Sequence, residues 1–443
     1  METHLADFMR GTSDGNEAEA ILRRCVHCGF CTATCPTYLL LGDELDGPRG
    51  RIYLIKQVLE GREATASTRL HLDRCLTCRN CETTCPSGVQ DGRLVDIGRK
   101  VVEERATEAR SLAERLTRMA LREGLTRRWL FDSAMTLGRI ARPMLPATLA
   151  NKVPIKPRAR VKRAPFKANR HARKMLLLDG CVQPAMAPNI NAATTRVLDA
   201  LGIETVVARR AGCCGAIRHH LNDHEGAKND MRRNIDAWWP HLVHESTRGS
   251  AHGSDSGVEC IVTTASGCGA MVKEYGHLLR DDPRYAAKAE RIAKETRDLS
   301  EVLPAYELAA KLSPPTARRV AYHPPCTLQH GQQIHGKVEA LLRATGIDVH
   351  LCADSHLCCG SAGTYSLLQP ELSFTLRDHK LANLAATRPD AIVSANIGCI
   401  THLRGGAEAP GAVPVMHWIE LLDAALDPPR WVPHTHRPQR KAQ

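Results

Sequence analysis

Two stretches decide the reading: Cys25-Val-His-Cys28-Gly-Phe-Cys31-Thr-Ala-Thr-Cys35-Pro36 and, fifty residues later, Cys75-Leu-Thr-Cys78-Arg-Asn-Cys81-Glu-Thr-Thr-Cys85-Pro86. Both follow C-x2-C-x2-C-x3-C-P, the spacing of [4Fe–4S] ligation. Three thiolates at that interval wrap one face of a cube, each holding one iron. The proline after the fourth turns the chain away and sends that thiolate to the other cluster. Cys25, Cys28, Cys31 and Cys85 are therefore expected at one cluster, and Cys75, Cys78, Cys81 and Cys35 at the second. Zinc is the competing reading, but it favours two C-x2-C pairs from separate turns over three evenly spaced cysteines and a Cys-Pro.

Working outward, residues 17–110 form one unit in which helices join and follow the two motifs. Apolar residues recur at helical spacing from Arg51 to Leu59, and a further helix runs from Leu94 through Arg99 toward Glu104. The helical connection exceeds that of a minimal ferredoxin and favours an α-helical ferredoxin domain. Residues 111–173 read as a basic helical segment, with Leu112, Leu116 and Met119 at three- and four-residue steps, followed by a Pro/Arg-rich linker from Pro154 to Arg173. Between Lys156 and Lys174 stand nine Lys or Arg and no acid, either a solvated linker or a surface for an anionic partner.

The rest is an internal repeat, residues 174–310 and 318–429. The first copy opens on the apolar strand Lys174-Met175-Leu176-Leu177-Leu178 before Cys181, reaches Cys213-Cys214-Gly215, then a strand Ile261-Val262 before Gly267-Cys268. The second opens on Arg319-Val320-Ala321-Tyr322 before Cys326, reaches Cys358-Cys359-Gly360, then Ile392-Val393 before Gly398-Cys399. In each, 32 positions separate the first cysteine from the Cys-Cys pair, and seven separate the Ile of the later strand from the last cysteine. Each copy closes on a helix start, Asp298-Leu299-Ser300-Glu301 or His417-Trp418-Ile419-Glu420. The fold class expected is α+β multidomain: an α-helical ferredoxin domain, then two tandem α/β Cys-Cys-Gly repeats with parallel sheets.

Cys181, Cys213, Cys214 and Cys268 are candidates for one further four-thiolate site, and Cys326, Cys358, Cys359 and Cys399 for another, with a structural or inert core role as the alternative. Gly215, Gly267, Gly360 and Gly398 allow close backbone approach. Cys260 and Cys352 have no counterpart in the other copy and read as core residues. His219, His220 and His323 lie near the cysteines in sequence and are placed to tune or ligate, although satisfied histidines are commoner.

The chain has 443 residues, 18 cysteines and a net charge of +12. No apolar run approaches the roughly 18 residues of a membrane span. Met1–Asn16 is polar, carries acids and lacks a secretory layout, which points to the cytoplasm. A reducing compartment and clustered cysteines argue for ligation over disulfides. There is no G-x-G-x-x-G, no phosphate-binding loop and no H-E-x-x-H, and no catalytic residue is assigned.

Cys25 to Pro36 followed by Gly42-Asp-Glu-Leu-Asp-Gly-Pro-Arg-Gly-Arg51 closely resembles the family of glycolate oxidase (glycolate dehydrogenase) iron–sulfur subunits. So do Asp73 to Gly88, Asn234 to Trp239 and Asp354 to Tyr365. The wider family includes subunits of anaerobic glycerol-3-phosphate dehydrogenase, lactate-utilisation proteins and heterodisulfide reductase. The last ends each copy in C-x2-C, where this chain has Ala265 and Asn396, which puts its five-thiolate cluster in doubt. The resemblance implies flavin-binding partner subunits that oxidise glycolate to glyoxylate, with this chain relaying electrons toward a membrane quinone. No flavin is expected on this chain, and a peripheral place on the cytoplasmic face of the inner membrane is. The alternatives are the corresponding subunit of a D-lactate or glycerol-3-phosphate dehydrogenase, or a heterodisulfide-reductase-like enzyme that uses its repeats catalytically. A nucleic-acid partner is not expected, since Phe166 is the lone aromatic in the basic segment.

Overall fold

The N-terminal unit is built from helices whose apolar faces meet. In Pro48–Leu59 the residues Ile52, Ile55 and Leu59 recur on one face, and all are buried. Pro48 opens that helix at the position where a missing N–H costs nothing. It packs on Asp91–Arg105, where Leu94, Val95, Val101 and Val102 join the same core. Gly98 permits the contact: a Cβ there would stand 2.6 Å from the Ile55 side chain. Ser13–Arg24 and Ala66–Asp73 complete the packing.

A computed structural model describes residues 1–144, 168–242, 257–313, 317, 319–407 and 412–426. The C-terminal end of the basic helical segment and most of the basic linker therefore lie outside the described residues. The helices Leu112–Thr126 and Arg128–Ala141 are described. They bury little beyond Thr126, Phe131 and Met135. Leu112, Leu116 and Met119 face outward, as do Trp129, Leu137 and Ile140.

Each repeat forms a four-stranded, wholly parallel sheet. The first has β1 (Arg173–Leu177), β2 (Ile203–Val206), β3 (Ile261–Thr263) and β4 (Thr296–Asp298) in the order β2-β1-β3-β4. The second has β5 (Arg319–His323), β6 (Asp348–Leu351), β7 (Ala391–Ser394) and β8 (Val415–His417) in the order β6-β5-β7-β8. Registers match: Leu177 pairs with Val262 in one copy and Tyr322 with Val393 in the other. Central strands of such sheets are buried on both faces, hence their continuous apolar runs. The short outer strands β4 and β8 precede the two helix starts that the sequence marks.

The copies share a core. Val197 and Leu198 of the first join Trp418, Ile419 and Leu422 of the second in one apolar cluster. Arg196 forks onto Asp423 at 2.6 and 2.7 Å, and His417 Nε2 lies 2.9 Å from the Thr264 carbonyl oxygen.

Candidate metal centres

Both N-terminal motifs hold their turns in left-handed backbone. His27 and Gly29 have positive φ in the first motif, and Thr77 and Arg79 take the same places in the second. For a β-branched residue such as Thr77 this conformation is strained, and strain of that kind collects at functional sites. It points backbone N–H groups inward, and Thr77 N donates to Cys75 Sγ at 3.4 Å.

The sulfurs gather in two hollows. Cys25, Cys28 and Cys31 line one together with Cys81 and Cys85. Cys35, Cys75 and Cys78 line the other, again with Cys81 at its edge. Each fourth cysteine thus lies with the opposite triplet. Asp91 borders both hollows and accepts from Cys81 Sγ at 3.3 Å.

Two buried arginines stand under the second hollow. Arg51 is 1 % exposed; its Nε donates to the His71 carbonyl at 2.8 Å and its Nη1 approaches Cys35 Sγ at 3.9 Å. Arg99 donates to the carbonyls of Leu72 and Cys75. Burial pushes the Cys75 thiol up, while these two guanidinium charges pull it down. Asp46, fully buried, answers Arg51 and also pairs with His71 at 3.1 Å and Arg74 at 2.8 Å. Converging sulfurs backed by cations fit an anionic thiolate-bound cluster, for which a buried charge must be compensated. Sequence reasoning missed both arginines. The available signal was Arg51 on the same helix face as Ile55 and Leu59, a charge on an apolar stripe.

In each repeat four thiols meet in one order. Cys181 contacts Cys213, Cys213 contacts Cys214, and Cys214 contacts Cys268. In the second, Cys326 Sγ lies 3.8 Å from Cys358 Sγ, and the line continues through Cys359 to Cys399. The glycine after each pair donates to the first sulfur, Gly215 N to Cys213 at 3.5 Å and Gly360 N to Cys358 at 3.4 Å. Burial and neighbouring thiols hold Cys181, Cys214, Cys326 and Cys359 well above the ordinary thiol range. Four converging soft sulfur donors are a donor set for iron–sulfur or another thiophilic metal. Cys260 and Cys352 pack into the apolar core.

The second hollow abuts the second repeat. Leu76, Cys326, Cys358, Tyr365 and Leu376 form one small apolar cluster with Cys78 against it. Thr83 Oγ1 meets His330 Nδ1 at 3.0 Å, and Asn80 donates to the His356 carbonyl at 3.3 Å. The first repeat is held by charge instead: Glu274 accepts from Arg79 at 2.8 Å and Arg93 at 3.0 Å. His219 pairs with Asp96 at 3.1 Å, with His220 beside them. His323 is fully buried, and among the described residues neither ring nitrogen has a hydrogen-bond partner.

Comparison with known proteins agrees with this layout. The 4Fe-4S dicluster domain family matches residues 21–89, and the Cysteine-rich domain family matches residues 175–273 and 320–404. A crystal structure of a hypothetical protein from Helicobacter pylori shares the fold at 10 % identity and a TM-score of 0.52, covering 95 % of this chain and 74 % of its own. The lactate utilization protein A of Bacillus licheniformis is 28 % identical over 57 % of this chain and 99 % of its own length. The probable glycolate oxidase iron-sulfur subunit of Bacillus subtilis is 30 % identical over 92 % of this chain and 94 % of its own. The glycolate oxidase iron-sulfur subunit of Escherichia coli is 51 % identical over 96 % of this chain and 100 % of its own length. With its dicluster unit and paired cysteine-rich domains, this chain belongs to the family of glycolate oxidase iron–sulfur subunits.

Proposed function

We propose that this chain is the electron-transfer subunit of a glycolate-oxidising complex. Cys25, Cys28, Cys31 and Cys85 hold one [4Fe–4S] cluster, and Cys75, Cys78, Cys81 and Cys35 the second. The thiol quartets Cys181/Cys213/Cys214/Cys268 and Cys326/Cys358/Cys359/Cys399 hold further centres. When bound, such centres accept and pass single electrons. The flavin that oxidises glycolate sits on partner subunits, and the acceptor is a membrane quinone.

The observation that carries this reading is the packing of Cys78 against the apolar cluster that contains Cys326 and Cys358. It supports a continuous line of sulfur sites from the N-terminal unit into the second repeat. The other end reaches the surface, where Cys28 is exposed between outward-facing Val26 and Phe30. There a partner can approach. The chain's own residues exclude water from the inner sites and set their charge, with Arg51 and Arg99 on the cationic side.

Among the described residues no helix is long and apolar enough to cross a membrane. Contact with an anionic lipid surface is proposed for the hairpin of Leu112–Thr126 and Arg128–Ala141. There Leu112, Leu116, Trp129, Leu137 and Ile140 are exposed on a background of Arg115, Arg127, Arg128 and Arg139.

The test is iron and acid-labile sulfide per chain, with EPR of the reduced protein prepared without oxygen. Twelve or more irons per chain are expected. About eight would confine clusters to the N-terminal unit. Zinc in place of iron there would overturn the proposal.

A further inference from the structure

The two repeats place different residues at one position beside their sulfur sites. The pairs Leu177–Val262 and Tyr322–Val393 correspond, so the next residue is Leu178 in one copy and His323, itself paired with Ser394, in the other. Leu178 packs as an ordinary core residue. His323 is 0 % exposed, and among the described residues neither Nδ1 nor Nε2 has a hydrogen-bond partner. A neutral imidazole carries one donor and one acceptor, and leaving either unmet in a dry core costs about 1–3 kcal/mol. A fold that retains such a cost where its sister copy has leucine is holding the ring for something else.

The ring is aimed at sulfur. One nitrogen of His323, Cys359 Sγ and Cys399 Sγ all lie within 4.8 Å of one another, and all three residues are buried. Metal bonds of about 2.3 Å to sulfur and 2.1 Å to nitrogen meet at one metal atom from donors up to roughly 4.4 Å apart. Small movements therefore bring all three onto one ion. The backbone is braced for it: Ser394 Oγ donates to the His323 carbonyl at 2.9 Å. Asn396 Nδ2 approaches Cys399 Sγ at 3.6 Å from just past the end of β7.

We propose that His323 is a nitrogen ligand to the metal centre of the second repeat, which makes that centre mixed sulfur–nitrogen while the first repeat's is all sulfur. The inference rests on the reading that the repeats hold iron–sulfur centres. Where the imidazole takes the place of one of the quartet's thiolates on iron, it removes negative charge there and raises the reduction potential. The centre in contact with the N-terminal unit is then the more readily reduced of the two repeat centres.

The experiment uses the full chain, purified without oxygen and labelled with 15N-histidine. Iron content is measured first, then pulsed EPR of the reduced protein. The expected result is a signal beyond those of the N-terminal clusters that carries a histidine-nitrogen coupling. His323→Leu, which copies the residue of the first repeat, loses that coupling and shifts its centre to lower potential. Leu178→His introduces a second coupling. If His323→Leu fails to fold, the labelled wild-type spectrum and Leu178→His still decide. Iron well above eight per chain with no histidine coupling, or with a coupling that survives His323→Leu, overturns the inference alone. Iron at about eight per chain overturns the reading of the repeats and this inference with it.

Discussion

The first repeat is bolted to the N-terminal unit by charge, and the second touches it through sulfur and apolar side chains. Glu274 takes both Arg79 and Arg93, and Asp96 takes His219, all at the first repeat. Cys78 and Leu76 meet Cys326, Cys358 and Tyr365 at the second. Within each copy, however, the features that position sulfur are the same: the 32-residue interval, the left-handed glycine after the pair, the parallel β-order. Apart from His323, which stands where the first copy has Leu178, what differs lies where each copy meets something else. Duplication thus retained a sulfur-holding scaffold and let its outward contacts diverge, one copy as an anchor and one as a conduit.

The glycines offer the largest break in that symmetry. Gly215 and Gly360 both have φ near +90°. Alanine in that region costs about 1–2 kcal/mol at either. At Gly360, however, the added Cβ would stand 2.4 Å from the Ser373 carbonyl oxygen, whereas at Gly215 the nearest atom, the Ala227 carbonyl oxygen, is 3.1 Å away. Gly360→Ala should therefore destabilise by about 2–5 kcal/mol, once the cost of overpacking is added. Gly215→Ala should stay near the lower figure. Denaturant unfolding of the two variants measures the difference, and equal losses would mean the glycines do the same job.

Next in size is the seam. Arg196 faces Asp423, whose side chain is only 6 % exposed. Arg196→Met removes the guanidinium that forks onto this buried carboxylate, a loss of about 3 kcal/mol at the low end of the range for buried pairs. Because one apolar cluster spans both copies, they should still unfold together. Two separate calorimetric transitions would show that the copies are independent domains and would sink the shared-core description.

The parts legible in the sequence are those with local signatures. Cysteine intervals, the central strands β1, β3, β5 and β7, and the helices Pro48–Leu59 and Asp91–Arg105 all declare themselves within a dozen residues. The outer strands β4 and β8 are three residues each and run straight into helix caps, too short for alternation to register. The pair Arg79–Glu274 joins residues 195 apart and has no local trace at all. For Leu112, Leu116 and Met119 the helical period was readable, but a period shows which residues share a face without saying what the face meets. Here, Leu112 at 70 % exposure, it meets no described residue that covers it.

The finest comparison is at the ends of β4 and β8, where the copies use opposite chemistry for one task. Asp298 Oδ1 accepts from Ser300 N at 2.9 Å, and His417 Nδ1 accepts from Ile419 N at 3.1 Å. The glutamate three residues on returns to the backbone N–H in both, Glu301 at 2.8 Å and Glu420 at 2.9 Å. Both caps are buried, so the charged form of each is disfavoured. Burial raises Asp298 from 3.8 to about 6, against a downward pull from the bonds to Ser300. Burial lowers His417 from 6.5 to about 4, against an upward pull from its bond to the Thr264 carbonyl. A raised acid lends stability that is whole below its unfolded value and lost as pH rises through about 6. A lowered histidine lends stability that is whole above 6.5 and lost as pH falls through about 4. Between about pH 4 and 6 the two slopes oppose, each worth about 3 kcal/mol. Each single replacement should expose the other slope. Asp298→Asn should leave stability that rises with pH across the window, and His417→Gln stability that falls. Urea midpoints at half-unit pH steps read both, and two variants sloping the same way would show that the two caps do not titrate as a balanced pair.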